Sequence, residues 1–293
     1  MEEKEVMEYR KAGEIAKKVK EFARSIIKPD MPLLEIAEKI EAKIVELGGK
    51  PAFPVNLCID DIAAHYTPYE EDTNLAEGLL KVDVGVHVNG YIADTAFSMD
   101  LADNDENKML ILASQKALEE ATKTMKEGIE LWKIGRAIQD KIEQYKFSPV
   151  RNLSGHELNS FNVHAGTTIP NYKNNSNQPL KKGAYAVEPF VTSGEGLVYD
   201  GKPSGIYKFE KKAGIRDPVA RKILEFIDQE YKTLPFCSRW IVKSFGKRAI
   251  LSLHLLEQAG IIMQYPQLIE KSHSRVAQSE DTILVSDEVE VTT

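Results

Sequence analysis

Two stretches of the chain align with each other without a gap, and this internal repeat limits the possible folds more than any other feature. The first stretch is Lys28–Ile44 and the second is Lys126–Ile142. The aligned pairs are Lys28 with Lys126, Met31 with Ile129, Leu33 with Leu131, Ile36 with Ile134, Ala37 with Gly135, Ile40 with Ile138, Lys43 with Lys141 and Ile44 with Ile142. Both have the apolar spacing of an amphipathic helix, and each follows a longer helical segment. Since amphipathic helices resemble one another, the helices alone do not establish a duplication.

The match continues beyond the helices. Each helix leads to an Asn-Leu pair, then to a histidine, and then to a strand that carries an acid. These features are Asn56-Leu57 and Asn152-Leu153, His65 and His164, and Asp83 and Glu188. We therefore predict a single α+β domain over 1–293, built from two halves (1–105 and 106–293) related by a pseudo-twofold axis. Their sheets would form one central antiparallel sheet backed by helices, with the acids of both halves facing a shared site.

The segment Leu80–Ala96 predicts a β-hairpin in the first half. Val82, Val84, Val86 and Val88 share one parity, which is typical of the buried face of a strand. Asn89-Gly90 favours a type I′ turn, because that turn needs positive φ at both central residues. A two-residue turn pairs Gly85 with Asp94 and Asp83 with Ala96. Asp83 and Asp94 then become diagonal neighbours on one face, roughly 7–8 Å apart at the backbone.

These two acids have two interpretations. The hairpin could have one solvated face, or the carboxylates could converge on a cation beside the space left by Gly85. Aspartate is a poor strand former, yet both acids lie within strands. Two converging carboxylates repel each other, and a bound cation with oxygen ligands removes that cost. From this segment alone both interpretations stay open.

The second half contains a segment in which the strand pattern stops, from about 206 to 266. Within it, "DPVARKILEFIDQEYKTLP" and "KRAILSLHLLEQAG" have ordinary amphipathic helix spacing. The strand pattern returns in "RVAQSEDTILVSDEVEVTT". We therefore predict a helical insertion subdomain over 206–266.

Composition excludes several classes of protein. The net charge of −7 over 293 residues argues against a dedicated nucleic-acid or anionic-membrane binder. No apolar run approaches the length of a membrane span, and "MEEKEVMEYRK" is no signal peptide. Only two cysteines, Cys58 and Cys237, occur in the chain. Such sparse cysteine usage favours a cytoplasmic protein.

Further ligand-type residues accompany the two aspartates. His156 lies in a glycine-punctuated stretch, Glu188 precedes a proline in a predicted strand, and Glu280 lies in the apolar strand "VAQSEDTILV". Four carboxylates with one imidazole suit a pair of divalent ions such as Mn, Fe or Co, whereas a structural zinc site favours more Cys and His. Two such ions about 3.5–4 Å apart are the arrangement of dinuclear hydrolases.

The ordered set Asp83, Asp94, His156, Glu188 and Glu280 resembles the ligand pattern of methionine aminopeptidases and the wider pita-bread metallohydrolases. Local sequences match too: "AFP" at 52–54, "AAHYTP" at 63–68, "ADTAF" at 93–97, "SGH" at 154–156, "VHAG" at 163–166 and "YP" at 265–266. The insertion and "TLPFCSRW" at 233–240 resemble the type II branch. The charged N-terminal extension of eukaryotic type II proteins is missing, so the chain is similar to the short archaeal form.

The resemblance implies a role for each residue. Asp83 chelates one metal, Asp94 and Glu280 bridge two, and His156 and Glu188 bind the other. Glu188 also takes a proton from the bridging water, while His65 and His164 hydrogen-bond the substrate backbone or the tetrahedral intermediate. Phe53, Pro54 and Tyr265 help to line the methionine pocket. Some family members have a histidine where Ile206 stands here.

The implied activity is removal of the N-terminal methionine from nascent proteins and peptides with a small second residue. The implied cofactors are two divalent ions, for which Co, Mn, Fe and Zn all fit. A monomer is expected, and the resemblance raises the ribosome as a partner without indicating a docking surface. The alternatives are an X-Pro aminopeptidase or prolidase, a creatinase-like enzyme, and a non-enzymatic interaction protein on the same fold. Prolidases and aminopeptidases P usually carry an extra N-terminal domain, for which the position of Asp83 leaves no room.

Overall fold

A computed structural model describes all residues from Met1 to Thr293. It contains seven helices: α1 Glu3–Ile26, α2 Leu33–Glu46, α3 Asp105–Thr124, α4 Leu131–Gln144, α5 Pro218–Glu230, α6 Ser238–Phe245 and α7 Ala249–Gln258. Several have explicit start signals. The side chain of Asn104 accepts a hydrogen bond from the Asn107 N–H at the start of α3, and Asp217 with Pro218 begins α5 in the same way.

The strands form four sheets. They are β1 Lys50–Pro51, β2 Asn56–Ile59, β3 Ile62–Ala64, β4 Leu79–Val88, β5 Tyr91–Asp100, β6 Ser148–Pro149, β7 Ser154–Asn159, β8 Asn162–Pro170, β9 Gly183–Val187, β10 Phe190–Thr192, β11 Val198–Phe209, β12 Phe236–Cys237, β13 Ile262–Glu270, β14 Val276–Gln278, β15 Asp281–Val285 and β16 Val289–Val291. The two central sheets have the order β1-β4-β2, with β5 beside β4, and β16-β15-β9-β7-β8. The fold is the predicted α+β arrangement of antiparallel sheets backed by helices.

The element order repeats along the chain. In each half two helices precede a two-residue strand, two further strands and then a strand of a central sheet, as α1-α2-β1-β2-β3-β4 and as α3-α4-β6-β7-β8-β9. This is the order expected of two related halves. One apolar core lies between α1, α2 and the β4–β5 hairpin, and another lies between α3, α4 and the second central sheet.

The two central sheets meet at the middle of the molecule. The backbones of Ala96 in β5 and Glu280 exchange two hydrogen bonds, of 3.2 and 3.0 Å. The hydroxyl of Thr95 donates to the Glu280 carbonyl at 2.8 Å. The two sheets are therefore connected by one isolated backbone pair and not by a continuous ladder. This pair holds Ala96 of the first half and Glu280 of the second half at the centre of the molecule.

The helical segment differs from the prediction at its ends. The helices α5–α7 occupy 218–258, with the helix α6 unanticipated, while β11 continues to Phe209 and β13 begins at Ile262. The strands β11 and β13 pair with each other, and β13 also pairs with β3 of the first half. The three helices have a core of their own. Their status as a separate subdomain stays a prediction.

Candidate active site

A cavity of about 210 Å³ lies where the two halves meet. It collects side chains that are far apart in the sequence. All five residues predicted as metal ligands line it: Asp83, Asp94, His156, Glu188 and Glu280.

The first-half hairpin has the predicted register. Gly85 pairs with Asp94, Asp83 pairs with Ala96, and Asn89 and Gly90 have φ of 52° and 94°. The space at Gly85, however, is not open. A Cβ at this position would lie 2.3 Å from the Phe53 ring. The space beside Gly85 is therefore filled by this ring and is not available to the two acids. Gly85 therefore allows a cavity-lining aromatic to pack against the sheet.

The two glutamates occupy breaks between strands, not the mid-strand positions that we predicted. Glu188 lies between β9 and β10 and precedes Pro189, whose missing N–H interrupts the backbone ladder. Glu280 lies between β14 and β15 and pairs only with Ala96. Both breaks place the glutamate side chain at the cavity.

The ligand-type atoms are close together. Atoms of Asp94, His156 and Glu280 lie within 4.8 Å of one another, and all three residues are buried. The Nε2 atom of His156 is 3.8 Å from Asp94 Oδ2 and 3.6 Å from Glu188 Oε1. One imidazole therefore faces carboxylates from both halves.

Burial and like charge set the protonation of the acids. Burial raises the pKa of Asp83 to about 7. Burial and then the neighbouring carboxylates raise the pKa of Asp94, Glu188 and Glu280 well above their ordinary values. Four such groups cannot all remain ionised at neutral pH unless a cation compensates them.

The same surroundings keep the histidine neutral. Burial, followed by the charge of His164, lowers the pKa of His156 to about 3. A neutral imidazole is the form that binds a metal ion. The buried Oδ1 atoms of Asp83 and Asp94 have no hydrogen-bond partner. Unpartnered buried oxygens and a neutral imidazole together fit a divalent cation.

The substrate-side histidines also line the cavity. Nδ1 of His65 is 3.2 Å from the Pro266 carbonyl, which only accepts, so this nitrogen carries the proton and Nε2 is left as an acceptor. Burial lowers the pKa of His65 to about 4. Burial and then the charge of His65 lower that of His164 to about 4, so both rings are neutral at pH 7.

The predicted pocket residues divide into two groups. Phe53 and Tyr265 line the cavity, and the Tyr265 ring lies 5.2 Å from that of His65. Pro54 does not line it. Its carbonyl instead accepts a hydrogen bond from the side-chain amide of Asn56 at 2.8 Å. A role for Pro54 in the methionine pocket stays a prediction.

Two asparagines at the cavity were not predicted as site residues. Asn56 and Asn152 both line it, and the buried Oδ1 of Asn56 has no partner. Asn56 pairs with Asp83 across β2 and β4, so the two side chains share a face. Both asparagines belong to the Asn-Leu pairs that mark the repeat, and that was the signal that could have identified them.

The sequence model of metallopeptidase family M24 matches residues 7–287. The chain belongs to this family. The M24 membership and the buried Asp, His and Glu cluster indicate a divalent-metal site. No helix of this M24 metallopeptidase combines the length and apolarity needed to cross a membrane.

Curated relatives of this M24 chain are aminopeptidases. It is 46% identical to a methionine aminopeptidase of Pyrococcus abyssi over 96% of this chain and 97% of that one. It is 45% identical to a methionine aminopeptidase of Methanocaldococcus jannaschii over 96% of both chains. A methionine aminopeptidase 2 of Komagataella phaffii is 34% identical, with 96% of this chain and 68% of that one covered. The resemblance to the archaeal form is confirmed.

Solved structures confirm the pita-bread fold of the M24 chain. A thermophilic Arx1 superimposes with a TM-score of 0.86 at 15% identity, covering all of this chain and 91% of that one. A Thermotoga maritima methionine aminopeptidase has a TM-score of 0.72 at 21% identity, with coverage of 100% and 98%. A Pyrococcus furiosus prolidase has a TM-score of 0.63 at 17% identity, and this chain covers 64% of it.

Proposed function

We propose that the protein removes the N-terminal methionine from peptides and nascent proteins. The observation that carries this proposal is the single cavity in which five ligand-type side chains face an apolar wall, in a chain 46% identical to a methionine aminopeptidase over nearly its full length. A hydrolase of this kind needs an activated water, a proton acceptor and a pocket for the leaving side chain. The cavity offers residues for each need.

The metal site is proposed to hold two divalent ions, chosen among Co, Mn, Fe and Zn. Asp83, Asp94, His156, Glu188 and Glu280 would hold them, with Asp94 and Glu280 shared between both. When bound, such ions polarise a carbonyl oxygen and make water acidic enough to attack near neutral pH. Calorimetric titration of metal-free protein with Mn²⁺ tests the count, and a single binding event per chain would contradict it.

The chain's own residues would then move protons and orient the peptide. Glu188, whose Oε1 faces the cavity beside His156, is proposed to accept a proton as general base. His65 presents an acceptor at Nε2, which suits a backbone N–H of the substrate. His164, whose ring centroid lies 4.4 Å from that of His156, is proposed to contact the carbonyl whose oxygen gains charge.

The apolar wall is proposed to receive the methionine side chain. Phe53, Val163, Phe190, Ile206 and Leu268 contribute to it, together with Pro235. The unpartnered oxygen of Asn56, a residue that pairs with Asp83 across β2 and β4, would accept from the N-terminal amine of the substrate. Action on nascent chains, a monomeric state and a cytoplasmic location stay predictions, as does a preference for a small second residue.

We expect the Mn²⁺-loaded protein to cleave Met-Ala-Ser and to turn over Met-Arg-Ser at least about tenfold more slowly. The methionine pocket should tolerate norleucine, because a misfit of one methylene costs only about 1–3 kcal/mol. Both expectations are tested by the initial rates for four peptides, Met-Ala-Ser, Nle-Ala-Ser, Met-Arg-Ser and Ala-Pro-Ser. Faster cleavage of Ala-Pro-Ser would favour the X-Pro alternative, and cleavage of none of them would favour the non-enzymatic one.

We expect His164→Ala to lower kcat by about 10²–10³, because loss of one donor to a developing oxyanion typically has that effect. Mn²⁺ affinity should be unchanged, since His164 is not a proposed ligand. His254→Ala is the matched control, because His254 is exposed on α7. A His164→Ala protein that loses metal would show that this histidine is itself a ligand.

A further inference from the structure

The side-chain amide of Gln278 lies among the acids of the proposed metal site. Gln278 is 1% exposed and ends β14, two residues before Glu280. Its Nε2 atom is 3.4 Å from Glu188 Oε2 and 3.4 Å from Glu280 Oε2. Both contacts are at the long end of the hydrogen-bond range, and one NH₂ group has the two hydrogens needed to make both.

No other side-chain N–H hydrogen-bonds the carboxylate groups of these glutamates, since Asn171 donates only to the Glu188 main-chain carbonyl at 3.0 Å. No lysine or arginine forms an ion pair with any of the four acids, and His156 is the only basic side chain within 4 Å of their oxygens. A lysine or arginine in place of Gln278 would compensate the negative charge of the carboxylates, and this charge is what attracts a metal ion. A neutral amide donates hydrogen bonds without adding positive charge.

The main chain fixes Gln278 from both sides. The Gln278 N–H donates to the hydroxyl of Ser98 at 2.8 Å, and that hydroxyl donates to the Gln278 carbonyl at 2.8 Å. Across the neighbouring strand, Gln278 pairs with Phe190, two residues after Glu188. Gln278 is not among the residues that line the cavity, whereas Glu188 and Glu280 are.

The two carboxylate oxygens of Glu188 have different partners. Oε2 points to Gln278, while Oε1 lies 3.6 Å from His156 Nε2. We infer that Gln278 is a positioning residue that turns one oxygen of Glu188 and one of Glu280 away from the cavity, so that the other oxygens are presented for metal binding and proton transfer. The inference rests on the proposed function, because it assigns the presented oxygens to that chemistry.

The test uses Gln278→Met, which keeps the side-chain length and removes both donors. Titration calorimetry with Mn²⁺ alone should show an affinity about 10–100-fold lower than wild type, the usual result of removing a partner that orients a metal ligand. At saturating Mn²⁺, kcat for Met-Ala-Ser should fall while KM stays within twofold. Gln115→Met on the exposed face of α3 is the matched control and should match wild type.

A second variant keeps the inference testable if Gln278→Met does not fold. Gln278→Asn keeps the amide but withdraws it from the glutamates, and it should also lower Mn²⁺ affinity. A folded variant that binds Mn²⁺ within twofold of wild type would overturn the inference, as would a loss confined to thermal stability. Wild-type protein that neither binds Mn²⁺ nor cleaves Met-Ala-Ser would instead overturn the proposed function.

Discussion

Glu188→Gln is expected to lower kcat/KM for Met-Ala-Ser by about 10²–10⁴, the usual contribution of a positioned general base. The amide keeps the size of the side chain but accepts no proton. Glu188 suits this role because it lies in the strand break before Pro189 and directs Oε1 toward His156 Nε2 at 3.6 Å. Initial rates of the Mn²⁺-loaded variant at several substrate concentrations measure the effect.

Because Glu188 is also a proposed ligand, metal binding must be measured on the same sample. Glu195→Gln is the control, since Glu195 is exposed and pairs only with Lys271 at 3.1 Å. A Glu188→Gln protein with full metal occupancy and activity within tenfold of wild type would exclude Glu188 as the base. Lost occupancy, restored by excess Mn²⁺ together with activity, would reduce its role to that of a ligand.

Local patterns in the sequence were enough to predict the first half of the site. The hairpin register follows from the alternating valines and the Asn89-Gly90 turn, both of which act over a few residues. The repeat also matched His65 with His164, the resemblance placed both at the substrate, and both line one cavity. The family resemblance added Tyr265 and the order of the five ligand-type residues.

The rest of the site depends on contacts with no local signal. That Phe53 fills the space at Gly85 is a matter of packing between strands, so the sequence suggested an open gap instead. Glu188 and Glu280 were predicted inside strands because their neighbours are apolar, yet the pairing stops at both. Gln278 was not singled out, because the contact of its side chain with Glu188 depends on the fold and has no local signal.

A buried ion pair between α2 and α6 is another contact that the sequence did not reveal. The guanidinium of Arg239 donates to both oxygens of Glu41 at 2.7 and 2.8 Å, and the indole N–H of Trp240 donates to Glu41 at 2.8 Å. Glu41 and Arg239 are only 8% and 4% exposed. Arg239 also donates to the Pro68 carbonyl, three residues after His65, so the helical segment is fastened to the loop behind a cavity histidine.

Glu41→Ala is therefore expected to lower the free energy of unfolding by about 3–5 kcal/mol, because Arg239 would remain buried without a partner. Denaturant unfolding of the metal-free protein measures this. The control Glu35→Ala removes an exposed pair with Lys39 on the same helix and should change stability by no more than about 0.5 kcal/mol. An effect of Glu41→Ala as small as the control's would mean that Arg239 finds other partners or water.

The double variant Glu41→Leu/Arg239→Met separates stability from function. Replacing a buried pair with apolar residues of similar volume is often neutral or stabilising, so most of the lost stability should return. The hydrogen bond to the Pro68 carbonyl would not return, so the loop that contains Pro68 and the segment that carries Pro235 at the cavity would lose one connection. We therefore expect this double variant to fold well, to bind Mn²⁺ normally and to show a raised KM for Met-Ala-Ser. A KM equal to wild type in a stable double variant would limit the pair to holding the fold together.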